Sequence, residues 1–258
     1  MKRIDRSDLS NWLDATLQPQ QFKDYCPNGL QVEGAQSISH IITGVTASRA
    51  LLEEAIRRKA DTVFVHHGWF WKNEDARLIG TKRERIALAL QHGLNLFAYH
   101  LPLDAHPQLG NNAQLGQVLG LTPDLDAEGK PRNCGPDDLV WLGRCPAGTT
   151  LESLSHTVAQ ALNREPLVIG DPQQTIERVA WCTGGAQDMM QAAVDAGAQV
   201  YITGEASEPN FHIANETGVG FIAAGHHATE RYGAQAVGRA IADHFGVKVE
   251  FVDLTNPV

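Results

Sequence analysis

His66 and His67 stand side by side in "DTVFVHHGWFWK", where a run of strand-forming residues gives way to Gly68 and three aromatics. Two further clusters share their character: His100, Asp104 and His106 in "YHLPLDAH", and His226, His227 and Glu230 in "GHHATER". Imidazole and carboxylate bind divalent metal ions, and imidazole also moves protons near neutral pH. His226 and Glu230 are four apart, which on a helix places both on one face, one turn from each other. His100 and Asp104 have the same separation, but Pro102 lies between them. That predicts an irregular loop there, with both side chains turned toward one pocket.

Each cluster taken alone has an ordinary reading. An i, i+4 His–Glu pair is common on helix surfaces, and an Asp near a Pro can be turn chemistry. Successive strand residues point to opposite faces, so His66 and His67 converge only where their strand has ended, as Gly68 allows. Three clusters, each at its own predicted strand end, favour a composite metal site over separate surface groups. Imidazole plus carboxylate without thiolate suits Zn, Fe, Mn or Ni over copper(I). The candidate ligands outnumber the three or four of one catalytic zinc. Two ions sharing a bridging carboxylate, Asp104 or Glu230, use them better. Such pairs, roughly 3.5–4 Å apart, lower the pKa of a bridging water toward about 7, so hydrolysis is the natural reaction class.

The elements that must position these groups follow from hydrophobic patterning. "DLSNWLDATL" reads as a helix capped at Asp8 or Ser10, "ISHIITGVTAS" as a buried strand and "RALLEEAIRRKA" as an amphipathic helix. "DTVFVHH" is a strand, "KRERIALALQHG" a helix closed by Gly93, and "LNLFAYH" the next strand. This alternation predicts an α/β fold with parallel pairing, whose sites lie beyond the carboxyl ends of the strands. "TPDLDAEGKPRNCGPDD", from residue 122, is the clearest boundary signal. After it, "VAWCTGGAQDMMQAAVDAGAQVYITGE" repeats the order of "IITGVTASRALLEEAIRRKADTVFVHHG", which suggests an internal duplication. In both copies the first strand ends near a threonine, Thr46 or Thr183. Two similar α/β domains result, with mixed and parallel sheets flanked by helices. One takes residues 1–124 and 222–258 and carries the metal ligands; the other takes 125–221.

Other features fit this frame. "GNNAQLGQVLG" is Gly-rich, but Asn111 or Asn112 capping a helix accounts for it. Cys182 reads as a buried small residue, and Trp69, Phe70 and Trp71 as packing groups. Lys72 is a candidate for a substrate anion, and Glu205 and His212 are secondary candidates for the same cleft. No P-loop, G-x-S-x-G or H-E-x-x-H is present. The formal charge of -9 argues against nucleic-acid binding. The four cysteines form no C-x-x-C, and no stretch nears the roughly 20 apolar residues of a membrane span. A cytoplasmic location without a membrane anchor is expected.

Taken together, "PNGLQVEG", "GVTAS", "VHHGWFWK", "YHLPLDAHPQLGNNAQL", "WCTGGAQ", "ITGEASE" and "AAGHHATER" resemble, in order and nearly end to end, the Nif-three-like dinuclear-metal family. Its members are often labelled GTP cyclohydrolase I type 2 homologues, and this chain is most similar to the compact bacterial branch. The resemblance implies two divalent ions held by His66, His67, Asp104, His226 and Glu230, with His100 as a further ligand or close partner. His227 falls at a position the motif leaves open. It also implies a homohexameric toroid of two interleaved α/β domains with its sites facing an internal cavity. The function expected is a metal-dependent hydrolase acting on a nucleotide or other small phosphorylated or cyclic substrate. The rival is a non-enzymatic protein for metal storage, delivery or regulation.

Overall fold

Strands rich in Val, Ile and Phe alternate with helices from the start of the chain. In the computed structural model, which describes residues 2–258, they build an α/β fold of mixed sheets flanked by helices. The chain forms two units, Met1–Leu103 with Gly233–Thr255, and Asp104–Tyr232 with Asn256–Val258. The division passes within the short helix Leu101–Ala105 and the long helix Arg231–Phe245.

The first unit is organised by a five-stranded sheet in the order Lys248–Phe251, His40–Thr46, Thr62–His67, Asn95–Ala98, Gly29–Val32. The first four strands run parallel and the last antiparallel. Thr62–His67 is buried along almost its whole length, as expected for an inner parallel strand covered on both faces. The helix Arg49–Arg57 starts at Ser48, whose hydroxyl accepts from Leu51 N, and buries Leu51, Leu52 and Ala55. With Ile86 and Ala89 of the helix Gly80–Gln91 they pack on Ile42, Val63, Val65 and Leu96. Gly93, at φ +62, ends that second helix as its sequence predicts. The N-terminal helix runs Arg6–Leu17, and its cap is Asp5 rather than Asp8 or Ser10. Asp5 sits in extended backbone just before the first turn and accepts from Ser7 N at 2.8 Å. An N-cap requires that conformation, which residues already inside a helix cannot adopt.

The second unit carries a seven-stranded mixed sheet. Its centre is a parallel trio, Arg178–Trp181, Val200–Thr203 and Gly220–Ala223, joined through the helices Met190–Asp195 and Glu208–Thr217. The same strand–helix–strand–helix–strand order recurs in the first unit at residues 40–98. Leu167–Ile169 closes one side antiparallel, and Val140–Arg144 the other. The turn-rich stretch after residue 122 is part of this sheet: Thr122–Pro123 and Asn133–Cys134 both pair antiparallel with Val140–Arg144. The contact division therefore falls at Leu103/Asp104 and Tyr232/Gly233, not within that stretch. Trp141 and Trp181, with ring centroids 5.8 Å apart, anchor the core with Leu115, Leu154, Val158 and Ile202. Among the described residues, no helix is long and apolar enough to cross a membrane.

Phe64, 1% exposed and stacked on Tyr99 at 5.9 Å, fills the middle of the first sheet. Phe64→Ala should cost about 3–5 kcal/mol, read as a lowered denaturant midpoint at unchanged slope.

Candidate functional site

Three histidines of the first unit converge at the carboxyl end of its sheet. His66 and His67 are the last two residues of the strand Thr62–His67, and His100 follows the strand Asn95–Ala98 by two residues. The strand continues through His67, which still pairs with Thr46, so the two histidines converge without leaving it. Their ring centroids lie 4.4 Å apart, and His100 stands 5.1 Å from His66 and 5.8 Å from His67. One ring nitrogen from each of the three falls within 4.8 Å of the others, a spacing that could hold a metal ion. Gly68 matters here by its lack of a side chain: a Cβ would lie 2.3 Å from Gln31 Oε1 and 2.4 Å from Ala98 Cβ. Gln31 Oε1 accepts from Trp69 N at 2.7 Å and so fixes the backbone just past the histidine pair.

The hydrogen bonds behind the rings decide which nitrogen each presents. His66 Nδ1 lies 3.1 Å from the Tyr99 carbonyl oxygen, and His100 Nδ1 lies 2.7 Å from Asp24 Oδ1. Neither oxygen has a proton to give, so both Nδ1 atoms must donate, and Nε2 becomes the coordinating atom. His67 Nδ1 meets the Thr46 hydroxyl at 3.2 Å, a partner able to donate or accept. Asp24 is the unexpected member. Burial raises its pKa, but the hydrogen bond and charge of His100, Asn28 and the Leu101 amide outweigh that and bring it down to about 2.

The second unit gathers carboxylates at corresponding strand ends. His226 opens the turn after Gly220–Ala223, and its Nε2 lies 3.3 Å from Glu230 Oε1, so the predicted one-turn spacing is realised. Its Nδ1 donates to Glu205 Oε1 at 2.6 Å. Burial lowers the pKa of His226, but Glu230 and Glu205 outweigh it and push it up to about 9. The turn Thr183-Gly184-Gly185 wraps this pair. Gly184, at φ +70, brings its backbone so close that a Cβ would sit 2.0 Å from Glu230 Oε1 and 3.2 Å from His226 Nε2. Asp104 Oδ1 accepts from Asn111 Nδ2 at 2.9 Å and from the Thr183 hydroxyl at 3.2 Å. Beside Glu205 opens a cavity of about 470 Å³, bounded also by Arg164, Glu165, Leu167 and Gly204.

Several sequence expectations change. Residues 101–105 form a short helix, not an irregular loop, because Pro102 occupies its first turn, where a missing N–H is harmless. Asn111 and Asn112 are buried inside their helix, and the cap is Gly110. Their side chains serve Asp104 and the Thr183 amide instead. His212 lies on the exposed face of the helix Glu208–Thr217, paired with Glu208 at 2.7 Å, whereas Glu205 contacts His226. The Nδ1 of His106 accepts from the amides of Gln108 and Leu109, which makes it a turn residue. Lys72 is exposed. Of the aromatics, Trp69 packs, with Nε1 donating to the Ala47 carbonyl. Trp71 instead stands edge-on to His100 at 5.0 Å. Asp24 falls in none of the quoted motifs; Thr46, Thr183 and Gly184 fall within "GVTAS" and "WCTGGAQ", but apart from the two threonines at matching places of the repeated pattern nothing there pointed to the site.

Comparison with known proteins shows the family of the chain. The family description Duf34/NIF3 (NGG1p interacting factor 3) matches residues 4–257. The chain belongs to the Duf34/NIF3 family. It is 50% identical over 252 residues to a Neisseria meningitidis protein called GTP cyclohydrolase 1 type 2 homolog, covering 98% of both chains. A Vibrio cholerae protein of the same name is 50% identical over 257 residues, covering 99% of this chain and 100% of the relative. Among solved structures, that of a Thermus thermophilus protein is 32% identical with a TM-score of 0.85, covering 99% of this chain and all of the other. Another, protein ybgI of unknown function, is 43% identical with a TM-score of 0.92 over the same shares.

Two outcomes test this geometry. In chelator-treated protein the charged form of His226 is stabilised above its ordinary value of 6.5, so its contribution is complete below pH 6.5 and is lost as pH rises through about 9. The stability advantage of the wild type over Glu205→Gln should therefore shrink between those values, measured by urea unfolding across that range. Gly184→Ala should destabilise by about 1–3 kcal/mol through its left-handed backbone alone, with the clash against Glu230 added, measured the same way.

Proposed function

We propose that the protein is a metal-dependent hydrolase whose two divalent ions are held by His66, His67, Asp104, His226 and Glu230, with His100 as a further ligand. The substrate class is a nucleotide or another small phosphorylated or cyclic molecule. The observation that carries this reading is the way the imidazoles are backed. His66, His100 and His226 each give Nδ1 to an oxygen that can only accept, which is how proteins orient histidines toward a metal. The donor set agrees, since it is nitrogen and oxygen without thiolate, which suits Zn, Fe, Mn or Ni. Bound ions would act as Lewis acids and supply hydroxide from water at neutral pH.

The chain's own residues have definable tasks around them. Asp104 and Glu230 would supply the carboxylates that hold the ions and orient water, one or the other of them shared between the two; Asn111 and Thr183 hold Asp104 in place through its Oδ1. Glu205 steadies His226 and borders the cavity of about 470 Å³, a size that suits a small molecule. Arg164 on the same cavity wall gives an anionic substituent a partner. The names of the relatives, GTP cyclohydrolase 1 type 2 homolog, support a nucleotide as the first substrate to try. A cytoplasmic homohexamer is the expected setting.

The test begins with elemental analysis of the purified protein, where about two divalent ions per chain are expected. Assay against nucleotides, phosphoesters and cyclic amides should then find saturable turnover. Asp104→Ala and Glu230→Ala should lower it at least about 100-fold with assembly intact by light scattering. No turnover on any substrate, together with rapid metal transfer to an apo-acceptor, would overturn the hydrolase in favour of a metal-delivery protein.

A further inference from the structure

We propose that Asp24 is a positioning residue that holds His100 ready to bind a divalent ion alongside His66 and His67. This deepens the metal-centre reading and rests on it. Asp24 lies in the loop before the strand Gly29–Val32, and its side chain is only 3% exposed. Four donors converge on its carboxylate. Oδ1 accepts from Tyr25 N at 2.6 Å and His100 Nδ1 at 2.7 Å, and Oδ2 accepts from Leu101 N and Asn28 Nδ2, each at 2.9 Å. Asn28 completes the clamp by accepting from His100 N at 2.7 Å. One loop thus grips the backbone at residues 100 and 101 and the ring of His100 together.

The grip has a directional result. A carboxylate that accepts from Nδ1 fixes the tautomer in which Nε2 carries the lone pair, and it raises the basicity of that nitrogen. The ring plane is set as well, because Trp71 meets it edge-on at 5.0 Å and 84° and Tyr25 at 6.3 Å and 63°. Position, plane and tautomer of His100 are all determined from outside the histidine cluster. Asp24, Cys26 and His100 also have ligand atoms within 4.8 Å of one another. Either oxygen of Asp24 already accepts two hydrogen bonds, so a separate ion there would have to displace at least one of them, and the supporting role is the better use of this geometry.

Cobalt(II) is the probe, because its visible spectrum reports ligand number and geometry and its affinity can be read by competition with a chromophoric chelator. Asp24→Asn should weaken the affected site about 10- to 100-fold and change the spectrum in the same sense as His100→Ala. In a double-mutant cycle, Asp24→Asn should cost nothing further once His100 is Ala. Unchanged affinity and spectrum in Asp24→Asn would overturn the proposal, and so would an additive loss in the double variant, which would mean that the loop acts on the fold at large. Should Asp24→Asn fail to fold, the wild type labelled with ¹⁵N-histidine decides. The His100 resonances, assigned by their loss in His100→Ala, should show a protonated Nδ1 and an unprotonated Nε2, and the reverse tautomer would refute the role of Asp24. Failure of the wild type to take up cobalt at all would instead bring down the metal-centre reading, and is distinguishable from these because it precedes any substitution.

Discussion

A neutral imidazole offers one lone pair, and its direction is settled by what the other nitrogen touches. Much of this structure can be understood as the means of making that contact reliable. The Tyr99 carbonyl, the Asp24 carboxylate and the Glu205 carboxylate each accept a hydrogen bond from the Nδ1–H of a histidine. None of these acceptors is adjacent in sequence to the ring it orients. The fold must bring them there to within a few tenths of an ångström, and the sheets provide the rigidity for it.

Each unit supplies three parallel strands in succession, and its polar groups cluster where those strands end. In the first unit Thr46, His66, His67, Tyr99 and His100 all lie at or just past carboxyl ends. In the second, Thr183, Glu205 and His226 follow their strands in the same manner. Backbone groups there are released from the ladder, and side chains gain freedom to turn inward, which is why open α/β sheets collect chemistry at that edge. The repeated threonine is the clearest sign that one solution is used twice. Thr46 meets His67 in the first unit, and Thr183 meets Asp104 in the second.

What could be read from the sequence was whatever depends on local order. Alternating apolar runs revealed the strands, the spacing of His226 and Glu230 revealed their shared face, and the end-to-end motif order revealed the family. What escaped was long-range or stereochemical. Asp24 stands 76 positions before the histidine it orients, and no periodicity links them. Asn111 and Asn112 look like helix caps because Asn is a good cap, yet packing placed both inside the first turn and gave their amides to Asp104 and Thr183. Pro102 reads as a helix breaker until its position in the first turn is known. The turn-rich stretch after residue 122 resembles a linker because edge strands share its composition.

The cysteines show what the surroundings of these groups exclude. Burial and the neighbouring Asp104 carboxylate push the Cys182 thiol far above its usual range, while burial and Asp24 push Cys26 up to about 12. Cys134 is raised by burial and nearby aspartates, and Cys145 by burial to about 11. Oxidants and soft metals attack thiolates, so all four sulfurs are kept in their unreactive form. The Asp24 and Asp104 carboxylates thereby also silence the sulfur beside them. The sulfurs next to Asp24 and Asp104 therefore present little thiolate to peroxide or to a soft metal.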